Sequence, residues 1–320
     1  MTRYVIRRLA EAIPVVLIIS FFAFVLIQLA PGDPVSLLVD VNSLTPAQLE
    51  EVRTRLGLNE PLPVQYGKMI GSLLVGDLRS IRTGQPTTAM VLEALPTTLV
   101  LMFWALLTGM VAGLAFGVVS ALRPYSTLDN VVTVVALAGI SLPHFWLALT
   151  LILVFSETLG WLPASGVRPL GASGGNPLEG ILYWILPTVV MGSGVAAVFT
   201  RYARSAMLET LHQDYVRTAR SKGLSEPRVI IGHALRNSLI TVVTLVGVYV
   251  PILLSGAVIV ETVFALPGIG RLAATGAMLR DYPVVLTTTL VAVLAVLLSN
   301  LATDVAYTVV DPRVSLVEQR

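Results

Sequence analysis

The chain has 320 residues, of which 55% are hydrophobic and only 12% are charged, and its mean hydropathy is +0.82. A soluble protein of this length needs more polar residues to cover its surface, so the composition excludes a water-soluble enzyme or binding protein. The formal net charge is only +2, and the absence of cysteine excludes disulfides, thiolate metal sites and cysteine nucleophiles.

Six uncharged apolar runs are each long enough for a helix that crosses about 30 Å of hydrocarbon, which takes about 20 residues. They cover residues 12–32, 94–122, 130–156, 180–200, 237–260 and 282–303. Arg3, Arg7 and Arg8 precede the first run, as in a cleavable signal peptide. The run is longer than a signal's apolar core, however, and it ends in LAPGDP rather than a small-residue cleavage site. We therefore interpret it as a retained first helix, and the sequence predicts six transmembrane helices.

The arginines and lysines of the short loops determine the orientation of these helices. If the N-terminus is cytoplasmic, the short loops on the opposite side hold only Arg168, Arg271 and Arg280. The cytoplasmic segments hold Arg3, Arg7, Arg8, Arg123, Arg201, Arg204, Arg217, Arg220, Lys222, Arg228, Arg236, Arg313 and Arg320. The sequence therefore predicts an all-α polytopic membrane protein with both termini in the cytoplasm. The slight positive charge reflects this topology rather than a nucleic-acid partner.

The predicted spans and loops divide the chain into three parts. Residues 1–30 hold the N-terminus and the first helix, residues 31–95 form an extracytoplasmic subdomain, and residues 96–320 form the membrane core with a cytoplasmic segment at 201–236. These bounds follow from the predicted spans and the loops between them.

The extracytoplasmic subdomain carries signals for two short helices. Thr45 as N-cap, Pro46 at the first helical position and Gln48 two residues further predict a helix from Pro46 to Leu56, which Gly57 ends. A second apolar-periodic stretch follows at 64–75. These helices lie on the outer membrane surface, meet a partner there, or pack on the chain's own helices; the sequence leaves all three open.

The cytoplasmic segment at 201–236 is basic and ordered. The fourth helix is predicted to continue through Leu211, after which Asp214 caps a short helix that Gly223 ends. Ser225 caps a second short helix, whose first turn accepts Glu226 and Pro227. Two short helices joined by a tight turn indicate a contact surface rather than a solvated linker.

Several residues inside the spans are candidates for a transport pathway. Pro143 and Pro251 are predicted to interrupt their helices, and His144 stands beside the first of them. Asn300 and Asp304 share one helix face near the cytoplasmic end of the last span. Each also has an ordinary structural reading, as a kink, a hydrogen-bonded histidine or an interfacial pair.

The loop from Glu261 to Arg271 is the last candidate for the pathway. It contains Pro267, Gly268 and Gly270 and suits a short re-entrant or gating turn on the outside. From the residues alone it is also explained as an ordinary glycine-rich connection.

The basic segment carries a family resemblance. Arg217-Thr218-Ala219-x-x-x-Gly223, followed by His233-Ala234-Leu235-Arg236-Asn237, resembles the cytoplasmic loop of permease subunits of binding-protein-dependent ABC importers, in the dipeptide/oligopeptide/nickel family. The general importer pattern is E-A-A-x-x-x-G-x(9)-I-x-L-P, of which only Ala219, Gly223 and Leu235 remain here. Further stretches are similar to the first permease of peptide importers, in the same order along essentially the whole chain: RR (7–8), LAPGDP (29–34), GISLPxFW (139–146), GWLPASG (160–166), ETVFxxPGxGR (261–271), RDYPVV (280–285) and DPR (311–313).

The resemblance implies a type I importer transmembrane domain that pairs with a second, homologous permease to form a translocation path. It also implies an extracytoplasmic substrate-binding protein and two cytoplasmic ATPase subunits, which bind ATP and Mg²⁺, whereas this chain binds no cofactor or metal and is not an enzyme. In such importers the short cytoplasmic helices seat in grooves on the ATPases, so residues 215–237 are expected to form the coupling loop.

The site residues follow from matching the family motif. The expected ATPase-coupling residues are Arg217, Thr218, Ala219, Arg220, Lys222, Gly223, Leu235 and Arg236. The residues expected at the translocation path or gate are Pro143, His144, Glu261, Phe264, Pro267, Gly268, Asn300 and Asp304. The cations are also explained as topology anchors or lipid headgroup ligands, and Gly223 also as an ordinary helix terminator.

Two other classes of membrane protein fit the sequence less well. A self-sufficient, ion-coupled secondary transporter needs carboxylates in mid-membrane, and Glu11 and Asp304 lie near span ends. An intramembrane protease needs a pair of facing aspartates or a Ser–His pair, for which only Ser193 and His144 are loose candidates. A P-loop is excluded because the two lysines, Lys68 and Lys222, are followed by Met69 and Gly223.

The sequence thus predicts a peptide importer subunit in the cytoplasmic membrane of a bacterium or archaeon, in contact with lipid. Import of nickel chelates or glutathione by the same family remains the alternative, because the binding protein does most of the selection.

Overall fold

The computed structural model describes residues 2–29, 45–55, 57–167 and 177–310, and most of them are helical. The helices are α1 (Thr2–Leu29), α2 (Pro46–Arg55), α3 (Leu62–Leu74), α4 (Thr87–Leu122), α5 (Thr127–Ser141), α6 (His144–Leu151), α7 (Pro177–Leu211), α8 (Asp214–Ser221), α9 (Glu226–Arg228), α10 (Arg236–Val263), α11 (Ile269–Met278) and α12 (Tyr282–Val310). Wider π-helical turns follow α6 and precede α10, at Ile152–Thr158 and Val229–Leu235. Within these ranges β structure is limited to an isolated bridge between Arg79 and Pro86, so the all-α prediction is confirmed.

Five of these helices are long and apolar enough to cross a membrane: α1, α4, α7, α10 and α12. The sixth span is the pair α5 and α6, which meets the same criterion although the chain bends by 107° between the two helices. With that pair counted as one, the prediction of six spans is confirmed. The predicted continuation of the fourth span through Leu211 is also confirmed.

In the third span, predicted over 130–156, the predicted interruption at Pro143 is confirmed, because the chain bends there between α5 and α6. Pro143 has no backbone N–H, and its ring keeps Leu142 out of the helical region, at φ −77° and ψ 126°. At Pro251 the predicted interruption is wrong, because α10 continues through it. In a membrane no water competes for the neighbouring backbone hydrogen bonds, so the helix persists on both sides of one missing donor.

The chain forms two compact units: Met1–Thr98 with Pro267–Leu298, and Leu99–Leu266 with Ser299–Arg320. The first holds α1 to α3, α11, the start of α4 and most of α12. The second holds the rest of α4, helices α5 to α10 and the end of α12.

In the first unit, α2 begins with the predicted capping box. Thr45 Oγ1 accepts the Gln48 N–H at 3.3 Å, and Gln48 Oε1 accepts the Thr45 N–H at 2.9 Å. Gly57 follows in the left-handed region, at φ +69°. Leu56, the predicted last residue of this helix, lies outside the described residues.

Helix α3 packs against α1 through Tyr66. The Tyr66 ring meets Phe21 edge-on with centroids 5.2 Å apart, and its hydroxyl lies 2.7 Å from Ser20 Oγ and donates to the Leu17 carbonyl at 3.1 Å. Of the placements that the sequence left open, packing on the chain's own first helix is therefore the one that α3 adopts.

The start of α12 is fastened to the turn before α4. Asp281 is 5% exposed, and its carboxylate accepts hydrogen bonds from Ser80 Oγ and, at 3.2 Å, from the Ile81 N–H. Thr287 Oγ1 donates to Thr87 Oγ1 at 2.8 Å. These buried bonds hold the start of α12 against the turn before α4, an end that the predicted topology puts outside the cytoplasm.

In the second unit, α4 packs on α7 along a seam of small residues, Gly109, Gly113 and Gly117, which we call the glycine seam. A Cβ built on Gly113 would lie 2.5 Å from Phe199 Cβ and 2.8 Å from the Ala196 carbonyl oxygen. The two backbones approach this closely because the glycines have no side chains, as at other interfaces of small residues in membranes.

Two further helices pack on α7. A Cβ built on Gly139 of α5 would lie 3.2 Å from Ala197 Cβ. On α10, the Tyr249 ring meets the ring of the fully buried Phe199 with centroids 5.7 Å apart. Helix α7 is therefore the element against which α4, α5 and α10 are all placed.

Gly113→Ala is expected to lower the stability of the folded chain in detergent by about 1–3 kcal/mol, because the added methyl forces α4 and α7 apart. Gly256→Ala is the matched control: Gly256 also lies in a membrane helix, α10, but a Cβ there meets nothing within 4 Å. Thermal unfolding of the purified variants measures the difference. Equal unfolding midpoints for Gly113→Ala and the unmodified chain would show that the seam is not closely packed.

Candidate functional site

The segment at residues 212–236 begins where α7 ends and lies in the cytoplasm by the predicted topology; we call it the cytoplasmic elbow. Helix α8 follows, but Asp214 is not its N-cap as predicted. Gln213 holds that position with an extended backbone, at φ −72° and ψ 147°, and makes no side-chain cap. Asp214 is instead the first helical residue, where its side chain is exposed and lies 3.4 Å from Arg217 Nη1.

The turn after α8 is built around Gly223. Its N–H donates to the Arg220 carbonyl at 2.9 Å, and the Leu224 N–H donates to the Ala219 carbonyl at 3.4 Å. This pair of bonds is the Schellman motif, which needs a left-handed residue at its turn, and Gly223 supplies it at φ +75°. The predicted helix stop at Gly223 is confirmed, and α8 itself ends at Ser221.

The elbow has a small apolar core of its own, which we call the elbow core: Val216, Ala219, Leu224 and Val229. Val216 and Val229 are 0% exposed and Ala219 is 5% exposed, with Leu224 packed against them. Ala219, one of the predicted coupling residues, therefore faces inward and holds α8 in place. The outward face of α8 carries Arg217, Thr218 and Arg220.

The second short helix of the prediction is not a separate element. Helix α9 runs into the π-helical turn at Val229–Leu235 and then directly into α10. No proline follows Pro227 before the fifth span, and Gly232, the one glycine there, lies inside the π-helical turn without ending it. Ser225 is its N-cap, as predicted, but makes no side-chain cap bond. The elbow is therefore continuous with α10.

The last two predicted coupling residues lie where this continuous helix enters the membrane core. Leu235 is half-buried in a cluster with Ala121 of α4 and Met207 of α7. Arg236 is exposed and begins α10.

The predicted contact cations are exposed. Arg220 pairs with Glu226 at 2.9 Å, across the Gly223 turn, and Arg217 pairs with Asp214. Exposed ion pairs of this kind contribute little stability, about 0–1 kcal/mol, so these guanidinium groups exchange partners at little cost. Lys222, the C-cap of α8, is exposed as well.

Pro143 and His144 lie at the bend between α5 and α6. His144 is half-buried, and its Nε2 would lie 3.6 Å from a Cβ built on Gly194 of α7. A Cβ at that distance would be in ordinary van der Waals contact, so the imidazole packs beside α7 at Gly194. The bend places a polar ring within an otherwise apolar span.

The predicted loop from Glu261 to Arg271 is shorter in the structure. Glu261 belongs to the last turn of α10, which ends at Val263, and α11 begins at Ile269. Glu261 is 0% exposed and Phe264 is 1% exposed, with the Phe264 carbonyl accepting the Gly166 N–H at 2.8 Å. The intervening turn is therefore tightly held, because hydrogen bonds satisfy its backbone.

Pro267 and Gly268 border a cavity of about 300 Å³ in the first unit. Its other lining residues are Gln85, Met90, Glu93, Ala94, Arg271, Leu272 and Thr275. By the predicted topology this recess faces the extracytoplasmic side.

The remaining pair of candidates lies on α12. Asn300 is exposed, and the side chain of Asp304 lies outside the described residues. Their neighbour Thr303 packs directly against Gly247 of α10. The role of Asn300 at the translocation path stays a prediction.

Sequence reasoning missed a buried ion pair between Asp129 of α5 and Arg204 of α7, whose nitrogen–oxygen distance is 2.7 Å. The only signal was Asp129 itself, an acid in a short loop whose other charge is Arg123. The two partners are 75 residues apart, so no local pattern connects them.

Known transport proteins resemble this chain over nearly its whole length. Residues 113–316 match the family described as Binding-protein-dependent transport system inner membrane component, and residues 1–102 match its N-terminal counterpart. The chain is 40% identical over 316 residues to the Oligopeptide transport system permease protein AppB of Bacillus subtilis (strain 168), covering 98% of this chain and 99% of that protein. It is 41% identical over 332 residues to the Di/tripeptide transport system permease protein DppB of Pseudomonas aeruginosa (strain UCBPP-PA14), covering 98% and 99%.

Solved structures with a similar fold include the MetNI methionine ABC transporter in an inward-facing conformation. The TM-score is 0.55 at 19% identity, over 71% of this chain and 98% of that chain. An amino acid ABC transporter with histidines gives a TM-score of 0.51 at 14% identity, over 71% and 95%. At these identities the likeness shows the fold alone, and it is the fold that the sequence predicted.

Proposed function

Because the chain belongs to the family of binding-protein-dependent transport system inner membrane components, we propose that it is a permease subunit that imports peptides across the cytoplasmic membrane of a bacterium or archaeon. Its six apolar spans make it a multi-pass membrane protein. As half of a translocation path it works with a second, homologous permease and an extracytoplasmic substrate-binding protein.

The observation that carries the proposal is the construction of the cytoplasmic elbow. A solvated linker needs neither a Schellman turn nor the elbow core. Helix α8 buries Val216 and Ala219 and turns Arg217, Thr218 and Arg220 outward. This rigid, cationic face seats on a cytoplasmic ATPase subunit.

Energy comes from the partners, because this sequence contains no Gly-Lys-Ser/Thr motif with which to hold a nucleotide. Two ATPase subunits bind ATP and Mg²⁺ and close on each other. Helix α8, seated on one of them, moves with that subunit. The elbow passes the movement into the membrane by two continuous helices, α7 before it and α10 after it. The bend at Pro143 and the turn that follows Glu261 border the path that opens.

A peptide substrate is supported by the relatives, which are named as oligopeptide and di/tripeptide permeases and match over nearly their whole length. Nickel chelates and glutathione, the alternatives that the sequence left open, have less support. The binding protein makes the final choice of cargo.

The test is purification of the tagged protein from its native host in mild detergent, with mass spectrometry of the proteins that accompany it and an ATPase assay on the eluate. We expect a second six-span permease, P-loop ATPases and a binding protein, with measurable ATP hydrolysis. A homo-oligomer without ATPase activity, found again after crosslinking, would overturn the proposal in favour of an ion-coupled secondary transporter.

A further inference from the structure

A buried ion pair joins three helices near the cytoplasmic end of the second unit. Asp129, in the first turn of α5, accepts two hydrogen bonds from Arg204 of α7, Nε to Oδ1 and Nη2 to Oδ2, both at 2.7 Å. Ser120 Oγ of α4 and, at 2.8 Å, the Tyr125 N–H donate to the same carboxylate. We call these four groups the clamp.

The carboxylate of the clamp is shielded from water, and its guanidinium partner is partly so. The Asp129 side chain is 3% exposed and that of Arg204 is 27% exposed. A carboxylate has about four acceptor sites, and the guanidinium fork, the hydroxyl and the amide supply four donors, so its hydrogen-bonding capacity is filled.

The same carboxylate organises the turn between α4 and α5. Tyr125 stands in the left-handed region at φ +62°, which is uncommon for a residue other than glycine. Its N–H is held by Asp129, whose own N–H is capped by Ser126 Oγ at 3.2 Å. The entry of α5 is therefore defined by contacts to both α4 and α7.

Stability alone does not account for this arrangement. A buried ion pair adds little net stability compared with apolar groups of the same volume, and the glycine seam already holds α4 to α7. The guanidinium group instead restricts orientation, because its two parallel hydrogen bonds fix how the start of α5 is oriented on α7.

The position of the clamp connects the elbow to the bend. Arg204 lies on α7 at the end of the glycine seam, where its backbone nitrogen faces Gly117, and before Leu211, after which the elbow begins. Asp129 lies in the first turn of α5, the helix that ends at the Pro143 bend. A movement that enters α7 from the elbow therefore reaches this bend through α5.

Building on the proposed function, we propose that the clamp makes α4, α5 and α7 move as one body with the elbow, so that Asp129 and Arg204 are positioning residues for the coupling of ATP hydrolysis to import.

The first test measures the geometry directly. Because the chain has no cysteine, spin labels at Thr133→Cys on α5 and His212→Cys beyond the end of α7 report one distance in the assembled complex, with the cysteines of the other subunits replaced. With the clamp intact we expect a narrow distance distribution that ATP does not change. In Asp129→Asn we expect a distribution at least twice as wide, even without nucleotide.

The second test separates transmission from folding. Asp129→Asn leaves a guanidinium without its anion, whereas Asp129→Asn with Arg204→Gln replaces the ion pair by two amides and leaves no unpaired charge. In proteoliposomes supplied with labelled trialanine and pentaalanine, we expect this double variant to hydrolyse ATP within about two-fold of the normal rate and to import at least ten-fold less peptide per ATP. Glu11→Gln, which breaks the exposed Arg7–Glu11 pair on α1, is the control that keeps normal import.

The outcomes decide between the two ideas. Normal peptide uptake per ATP in the double variant, or an unchanged distance distribution in Asp129→Asn, would overturn the clamp. A complex with an intact clamp that neither hydrolyses ATP nor imports peptide would instead refute the proposed function, while the nucleotide-free distances would still measure the clamp.

Discussion

Gly223→Val is expected to abolish peptide import while the protein reaches the membrane at its normal level. Gly223 stands at φ +75°, and a Cβ built on it meets nothing within 4 Å, so the substitution acts through the backbone alone. A β-branched residue in the left-handed region costs on the order of 1–3 kcal/mol. The strain is relieved most easily if the hydrogen bonds of the Schellman turn break. Without that turn, α8 would no longer be held against the elbow core. The membrane spans are untouched.

Peptide uptake by cells, together with immunoblots of their membranes, measures this effect. Gly57→Val is the matched control, because Gly57 has φ +69° and equally open space but ends α2, outside the cytoplasm by the predicted topology. Gly223→Asn is the second control, since asparagine tolerates the left-handed conformation, and we expect it to retain import. Wild-type uptake by Gly223→Val would contradict the assignment of this turn to ATPase coupling.

The elements that the sequence predicted well are those with local causes. Uncharged runs of about 20 residues specify membrane helices whatever surrounds them. The capping box of Thr45 and Gln48 and the stop at Gly223 depend on residues within one turn of each other. Such features need no knowledge of the rest of the fold.

The bend at Pro143 was only partly predictable. A proline predicts that a helix is interrupted, but the direction and size of the bend depend on which residues pack around the proline. The apolar run continues on both sides of Pro143, so hydropathy shows one span where the structure has two helices at 107°. The continuity of α9 with α10 was missed for a related reason. The start signal at Ser225 predicted a separate short helix, but Gly232, the one glycine before the fifth span, lies inside the helix and does not end it.

The clamp and the elbow core could not be derived from the sequence because they join residues that are distant along the chain. Arg204 was counted as one of many cytoplasmic cations, and only the fold shows that Asp129 neutralises it. Ala219 was assigned to the ATPase contact because it matches a motif, yet the structure turns it inward against Val229. A motif identifies which residues matter, whereas burial determines which of them touch a partner.

Val216→Asp is expected to abolish peptide import as completely as Gly223→Val does, because it disrupts the packing of the elbow core. Val216 is 0% exposed, and a carboxylate there has no cation within the core to pair with. An uncompensated buried charge costs roughly 3–5 kcal/mol. Because the elbow core has only four side chains, detaching α8 costs less free energy than keeping the carboxylate buried. We therefore expect α8 to detach and to expose the carboxylate to water. Helices α7 and α10 stay in the membrane, since neither depends on this core.

Limited digestion with trypsin measures the loss of order, because Arg217, Arg220 and Lys222 become cleavable once α8 detaches. Gln213→Asp is the matched control: it places the same carboxylate three residues earlier, at the exposed N-cap of α8, where aspartate stabilises a helix by about 0.5–2 kcal/mol relative to a residue that does not cap. We expect that variant to resist trypsin and to import normally. If Val216→Asp resisted trypsin and imported peptide as well as Gln213→Asp, the elbow core would be dispensable. Coupling would then depend on the charged face of α8 alone.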